Sequence, residues 1–311
     1  MAYTQASSLS SDTTAFDLMA YFAFRSQPVY EMAATVKSTN QSHNGAGVTF
    51  LHYDDLAQAT SALTETSDVT AVALSDNTVT VNLAEYGNAV LTTAKLRGTS
   101  YLNVDADAAN IVGYNMGDSI DEVCKDVAEA GSNVKYVGQA SRGAITSSDE
   151  MTAAVIQEQV AALRAANVPV FANGCYYAMM HPHVTYDLRQ DTAVTDIIQY
   201  QIRQDPANYE RGSIGKWGGV EIIETSRATI VTDGGATTTD VYLNIIMGQQ
   251  ALAKAHSRAA GFGPDPKVVY GPVTDTLMRF RPVGWYHLVG YGRFREAALR
   301  RIECASSIGA N

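Results

Sequence analysis

The stretch Gly47–Ala94 reads GVTFLHYDDLAQATSALTETSDVTAVALSDNTVTVNLAEYGNAVLTTA. It contains a period-two run in which Val79, Val81 and Leu83 alternate with polar residues. Successive side chains of a strand point to opposite faces, so this run predicts a strand with one buried face. Val48–Tyr53 also has strand composition. We therefore predict long strands separated by a polar excursion, which extends beyond a compact core.

Helical periodicity dominates two segments further along the chain. Apolar residues recur at three- and four-residue steps over Asp105–Ala130, which predicts a helix. A second such stripe predicts a helix from Ser148 to Ala166, with Ser148 as a favourable N-cap residue. Further strands are predicted at Val168–Phe171, Tyr176–Met180, Gly218–Glu224, Val241–Met247, Trp285–Val289 and Ala298–Cys304, and short helices at Thr13–Phe24, His183–Gln190 and Val194–Gln204. Strands and helices are mixed without a regular βαβ rhythm, which predicts an α+β fold.

Composition narrows the function classes. Charged residues make up 17% of the 311 residues, below the roughly 25% of ordinary soluble domains, which favours burial of surface against other chains. The net charge of −10 argues against a dedicated nucleic-acid binder. Three cysteines form no disulfide framework. Neither a signal peptide nor a membrane-spanning apolar run is visible, so we expect a cytoplasmic product.

The candidate catalytic chemistry is sparse. His181 and His183 form the only close histidine pair, and Asp187 or Asp191 could complete a metal site with them. The competing interpretation is a strand that ends at Pro182 and leads into a helix. The chain contains no nucleophile elbow, phosphate loop or zinc-protease motif. We interpret the adjacent carboxylates Asp121-Glu122 as solvated surface, and we expect no enzyme activity, metal or cofactor.

Two stretches carry a resemblance to a known family. Tyr176–Arg189 reads YYAMMHPHVTYDLR, and Gly212–Thr225 reads GSIGKWGGVEIIET. This order resembles the major capsid proteins of tailed phages of the coliphage N-four type, which have the Hong Kong 97 fold. Leu63–Thr93 resembles the extended loop of that family, and Val283–Glu303 resembles its closing strands. The motif residues that the resemblance marks as structural are Tyr176, His181, Pro182, Asp187, Leu188, Arg189, Gly215, Gly219, Glu224 and Trp285.

The resemblance implies how the chain is divided. The expected architecture is an α+β, Hong Kong 97-like capsid fold. It comprises an N-terminal arm (1–47), an extended β-hairpin loop with flanking strands (48–94) and a peripheral domain with a long spine helix (95–132). An axial domain (133–258) and a return to the peripheral domain (259–311) complete it.

The implied function is structural. The chain would self-assemble as hexamers and pentamers into an icosahedral shell around a double-stranded DNA phage genome, in the host cytoplasm during assembly and in the virion capsid afterwards. Packaged DNA would be bound nonspecifically, and portal, scaffold and decoration proteins are expected partners. Inter-subunit contacts of the extended loop are expected at Thr60, Thr64, Glu65, Thr66, Asp68, Val69 and Thr70.

The basic residues near the end of the chain are expected to contact a neighbouring subunit or face DNA. They are Arg279, Arg281, Arg293, Arg295 and Arg300. A bridge to an acidic loop at Glu65 or Asp68 of a neighbour is one hypothesis, and ion pairs within the chain are the alternative. For the whole chain, the alternatives are an encapsulin-like compartment of the same fold, a metal-dependent enzyme centred on His181 and His183, and a structural adaptor that forms a small oligomer.

Overall fold

The computed structural model describes residues 28–38, 47–53, 56–63, 65–66, 68–69, 71–100, 103–191, 215–257, 263–271 and 275–309. The helices predicted at Thr13–Phe24 and Val194–Gln204 therefore lie outside the described residues. The chain divides into two compact units. Described residues of unit 1 fall within 87–116 and 268–285, and those of unit 2 fall within 28–86, 117–267 and 286–309.

The described elements mix strands and helices along the whole chain. In chain order they are β1 (Ala34–Ser38), β2 (Gly47–Tyr53), β3 (Asp76–Asn82), β4 (Ala84–Thr93), α1 (Ala94–Thr99), α2 (Val104–Glu129), β5 (Val134–Tyr136), α3 (Ala153–Ala165), β6 (Tyr176–Met180), α4 (Pro182–Gln190), β7 (Lys216–Trp217), β8 (Val220–Glu224), β9 (Ile230–Val231), β10 (Val241–Met247), β11 (Leu252–His256), β12 (Lys267–Tyr270), β13 (Phe280–Arg293) and β14 (Leu299–Cys304).

A seven-stranded sheet forms the centre of unit 2. Its order is β5-β14-β10-β6-β8-β7, and β9 pairs with β10. All seven residues of β10, including Asn244, are buried, so the strand is covered on both faces. Ile156, Val160 and Leu163 of α3 lie at helical spacing and pack in the same core. This core includes the strand at Tyr176–Met180 that the sequence predicted.

A second sheet of unit 2 carries a β-hairpin. β1 runs parallel to β11, and β11 pairs antiparallel with residues 289–293 of β13. β2 and β3 pair with each other from Gly47↔Asn82 to Tyr53↔Asp76. The chain between them, residues 54–75, has no helix or strand among its described residues. Val81 is buried and Thr80 is exposed, so the predicted alternation is confirmed.

Unit 1 is organised around the first half of β13. β4 and β12 both pair with β13, and Ala94 N donates to Arg279 O at 2.8 Å. Thr93 caps α1 by accepting a hydrogen bond from Leu96 N at 3.2 Å. Trp285, which the sequence marked as structural, donates from Nε1 to Asn115 Oδ1 of α2 at 3.0 Å.

The long helix α2 agrees with the predicted spine helix in position and length. Its last residues, from Asp118 on, are held by Arg227, which is itself buried. Arg227 Nε donates to Asp121 Oδ2 at 3.0 Å and its Nη2 donates to Glu122 Oε2 at 3.0 Å. Asp121 is completely buried, so its interpretation as solvated surface is wrong. The reason is tertiary: an arginine more than 100 residues away neutralises the carboxylate.

One predicted boundary and one predicted strand are also wrong. The second helix begins at Ala153 with Thr152 at its N-cap, not at Ser148. The residues just before it pair with the end of the chain instead of forming a helix. Glu150 forms a β-bridge with Ala305, and Asp149 O accepts a hydrogen bond from Ala305 N. The segment 168–171 is not a strand.

The two compact units divide the chain differently from the expected arm and domains. Residues 28–38, expected within the arm, supply β1 and the completely buried Tyr30 to unit 2. β14, expected to return to the peripheral domain, lies between β5 and β10 in the seven-stranded sheet of unit 2. The assignment of segments to axial and peripheral domains stays a prediction.

Candidate functional site

The hairpin β2–β3 rests on a platform of small residues. Val48, Phe50 and Val81 of the hairpin pack against Ala253 and Ala255 of β11. The adjacent β13 offers glycines at the same place. A Cβ at Gly290 would overlap Asn82 O, and a Cβ at Gly292 would lie 2.7 Å from Val81 Cγ2. Small side chains therefore let the hairpin backbone approach the sheet closely.

Beyond its base, the hairpin exposes a run of large apolar side chains. Leu63 is 77% exposed and Leu74 is 73% exposed. Among the described residues of the hairpin and its excursion, the exposed large apolar residues are Leu51, Tyr53, Leu56, Leu63, Val69, Val72 and Leu74. An exposed apolar set of this size on one element is typical of an interaction surface. We call these seven residues the hairpin apolar set.

The predicted contact residues of the extended loop fall in this excursion. Thr60, Glu65, Thr66, Asp68 and Val69 are all exposed. Thr64 and Thr70 lie outside the described residues. Their contact with a neighbouring subunit stays a prediction.

The hairpin and its flanks carry acidic residues but no lysine or arginine. Between Lys37 and Lys95 the sequence contains six acidic residues and no lysine or arginine. Like charges repel, so this segment favours a partner surface that carries positive charge.

Unit 1 exposes a second apolar set, which is accompanied by basic residues. All four residues of β12 are exposed, and Met278 is 75% exposed. In the described part of unit 1, the exposed large apolar residues are Val90, Leu91, Leu96, Ile111, Val268, Val269, Tyr270, Leu277 and Met278. Arg279 and Arg281 lie next to this set in the chain, and about half of each side chain is exposed. Unit 1 thus combines apolar and basic groups.

The five predicted basic contact residues differ in the contacts that they make within the chain. Arg279 pairs with Asp275 at 3.5 Å and Arg281 pairs with Asp105 at 3.6 Å. These carboxylates leave each guanidinium partly exposed, so a further partner is compatible with both pairs.

The remaining three arginines belong to unit 2. Arg293 pairs with Glu296 at 2.8 Å, and Arg295 donates from Nη2 to Ala166 O at 2.8 Å. Arg300 lies on β14, and its Nε is buried without a hydrogen-bond partner among the described residues. The alternative of intrachain ion pairs therefore holds for Arg279, Arg281 and Arg293, while contact with a neighbour or DNA stays a prediction for all five.

The histidine pair has a structural role at the start of α4. His181 is the N-cap residue, and its Nδ1 accepts from His183 N at 3.2 Å; Pro182 occupies the first helical turn. His183 Nδ1 lies 2.9 Å from the hydroxyl of Tyr242. Burial, and secondarily the neighbouring His183, lowers the pKa of His181 to about 4. This is the strand-end arrangement of the competing interpretation.

The other family-motif residues tie α4 and the glycine turn to the sheet. Asp187 accepts from Ser307 N at 3.1 Å, and Leu188 is completely buried. Arg189 pairs with Glu224. Tyr176 OH donates to Val168 O at 2.9 Å.

The glycine turn between β7 and β8 requires its glycines. Gly218 and Gly219 form this turn with positive φ, at 60° and 89°, and Gly215, just before β7, has a φ of 68°. This left-handed backbone favours glycine over any residue with a Cβ. The strand predicted at Gly218–Glu224 therefore begins at Val220, after the turn.

Sequence reasoning missed a buried ionisable cluster in unit 2. Lys254 Nζ pairs with Glu31, and Tyr291 OH donates to Glu31 Oε1 at 2.9 Å. His256 and His287 are also buried. The only sequence signal was the run LAKAH, in which a lysine and a histidine alternate with alanines.

Among the described ranges, no three His, Cys, Asp or Glu side chains converge in a way that could hold a metal ion. Within the same part of the chain, no helix has the length and apolar character needed to cross a membrane.

Solved structures that match this fold include the capsids of three phages. The capsid of Ralstonia phage GP4 is 16% identical, with a TM-score of 0.74 over 96% of each chain. The capsid asymmetric unit of cyanophage Pam1 is 14% identical, with a TM-score of 0.75 over 96% of this chain and 97% of that chain. The capsid of cyanophage P-SCSP1u is 17% identical, with a TM-score of 0.72 over 96% of this chain and 94% of that chain. The fold is therefore the Hong Kong 97-like capsid fold.

The family follows from the sequence itself. The family model described as "Phage capsid protein" matches residues 5–308, so the chain belongs to the phage capsid protein family. Its function is that of a major capsid protein, a component of the virion shell. No curated protein sequence matches the chain.

Proposed function

We propose that this chain is a major capsid subunit of the coliphage N-four type. It assembles as hexamers and pentamers into an icosahedral shell around double-stranded DNA, with no catalytic step. The observation that supports the assembly mode is the projecting hairpin, whose seven large apolar side chains are exposed in the single chain. The resemblance of Tyr176–Arg189 to that type supports the finer assignment. Portal, scaffold and decoration proteins are the further partners that this assignment implies.

We infer that the hairpin apolar set docks on unit 1 of a second copy. Full burial of one leucine or valine side chain stabilises a contact by about 1.5–3 kcal/mol. Several such side chains, together with the exposed apolar residues of unit 1, suit an interface of about 1,600 Å². The acidic hairpin and the partly exposed Arg279 and Arg281 are complementary in charge, which fixes orientation more than it adds affinity.

The test of docking is shell assembly by paired variants. Leu63→Ser with Leu74→Ser removes two of the most exposed apolar side chains of the hairpin without touching its base. We expect the yield of closed particles, measured by gradient sedimentation and negative-stain imaging, to fall at least tenfold while the subunit stays folded. Tyr186→Ser is the matched control, because Tyr186 is also exposed but lies on α4, outside both surfaces. Equal particle yield from the double variant and the control would refute the docking.

The charge complementarity between the hairpin and unit 1 of a second copy is tested separately. Asp68→Lys and Arg279→Glu should each reduce particle yield, more strongly at low salt, because each places like charges opposite one another. The double variant should recover yield if the two residues face each other across the interface. Absence of recovery would assign the positive partner to a different residue and leave the apolar contact standing.

The cargo separates a genome shell from an enzyme compartment. We expect particles purified from infected cells to protect double-stranded DNA from added nuclease. Particles that contain a stoichiometric protein cargo and no protected DNA would instead support the encapsulin-like alternative.

A further inference from the structure

The two faces of the strand pair β11–β13 are very different. Ala253 and Ala255 face the hairpin, so Lys254 and His256, which alternate with them, face away from it. Lys254 pairs in register with Tyr291 of β13. His287 lies four residues before Tyr291 and shares its face. This second face therefore buries a row of ionisable side chains.

His287 is a member of this row whose surroundings disfavour its protonation. It is almost completely buried, and its Nε2 has no hydrogen-bond partner among the described residues. Lys254 and His256 face it from β11, and Glu31 and Asp265 face it from the segments before β1 and β12. On α2, Asp121 and Cys124 approach the neighbouring Tyr291. A second positive charge beside Lys254 would be buried with no acceptor at Nε2.

The segment 28–38 is attached to unit 2 through this cluster. The Glu31 carboxylate binds Lys254 Nζ and the Tyr291 hydroxyl. Tyr30 N and Glu31 N donate to Asp121 Oδ1 at 2.7 and 3.1 Å. β1 then pairs with β11 alone, at the end of its sheet within the described part of the chain. β1 is an edge strand of five residues with one neighbour, so it can detach without breaking a ladder on its other side.

We propose that His287 is an acid-responsive switch, whose protonation releases the segment 28–38 from β11 and the Glu31–Lys254 pair. Detachment of the segment admits water to the face of β11 and β13, which solvates the imidazolium. Glu31 sits at the rim of the cluster, where its side chain is partly exposed. The switch is a property of the single chain and does not depend on shell assembly.

The sign and size of the effect follow from proton linkage. Burial, and secondarily Lys254, lowers the pKa of His287 from 6.5 to about 4. The open form binds protons more readily than the closed form between these values, so acid favours opening. Linkage with these two values makes opening about 20-fold more favourable at pH 5 than at pH 7.

Hydrogen exchange of the full-length protein tests the proposal. Backbone exchange of β1, corrected for the intrinsic effect of pH, is measured at pH 7 and pH 5, with the buried strand β10 as internal reference. We expect opening of β1 to increase by at least tenfold on acidification and β10 to remain unchanged. In His287→Gln, which cannot be protonated in this range, most of this increase should be lost. His181→Asn is the matched control, because it removes another buried histidine remote in sequence and should leave the acid response of β1 intact.

A second measurement covers the case in which His287→Gln does not fold. Exchange at the histidine ring carbon reports the titration of each histidine in the unmodified protein. The midpoint of His287 should lie well below 6.5 and on the same pH range as the opening of β1. The proposal is overturned if β1 opens in His287→Gln as it does in the unmodified protein, if acid leaves β1 unchanged, or if the two midpoints differ by more than about one pH unit.

Discussion

The close approach of the hairpin to β13 makes Gly290 the most sensitive position of its seat. A Cβ at this position would overlap the backbone oxygen of Asn82 and lie 2.9 Å from Val81 Cγ1. A backbone oxygen cannot rotate away, so the hairpin must move outward as a body. Overpacking of a tight contact costs about 1–3 kcal/mol, and the rigid partner places Gly290→Ala at the upper end of this range.

The assay for this prediction separates a local effect from a global one. Backbone exchange of β3 should rise by roughly 100-fold, which corresponds to about 2.7 kcal/mol, while exchange of β10 changes little. Gly113→Ala is the matched control, since a Cβ there meets nothing within 4 Å inside helix α2. Alanine is favoured over glycine in a helix by about 0.8–1 kcal/mol, so the control should be neutral or more stable. Unchanged protection of β3 in Gly290→Ala would refute the account of a closely seated hairpin.

Two further predictions concern buried charge in unit 2. Arg227→Met should lower the free energy of unfolding by about 3–5 kcal/mol in urea titration, because it leaves the completely buried carboxylate of Asp121 without its cation; a loss below 1 kcal/mol would contradict the role of this pair. His181, whose pKa is lowered to about 4 when folded, contributes stability above pH 6.5 that is lost as the pH falls from 6.5 towards 4, at most about 3.4 kcal/mol at 1.36 kcal/mol per pH unit. His181→Asn keeps an N-cap acceptor and removes this part of the pH dependence, so identical pH–stability curves for the variant and the unmodified protein would argue against it.

Local patterns predicted the elements whose side chains follow a single period. The alternation at Val79–Leu83 predicted β3, and the apolar stripe over residues 105–130 predicted α2. β10 was predicted from a run of seven residues that the structure buries completely. In each case neighbouring residues in the chain carry the whole signal.

Element boundaries and polar contacts depended on residues that are distant in the sequence. The start of α3 shifts from Ser148 to Ala153, because residues 149 and 150 are bonded to Ala305. The burial of Asp121 depends on Arg227, which the sequence places 106 residues away. No local rule relates such distant residues, so these features could not be read from a single sequence.

The amino-acid sequence by itself determined the α+β class, the main strands and helices, and a resemblance specific enough to identify a capsid chain. Only the tertiary structure decided that the closing strand joins the central sheet, that alanines and glycines of β11 and β13 seat the hairpin, and that Glu31, Lys254 and His287 meet beneath it. The physical reason is that periodicity records which face of an element is buried, whereas the identity of the partner depends on how distant elements pack.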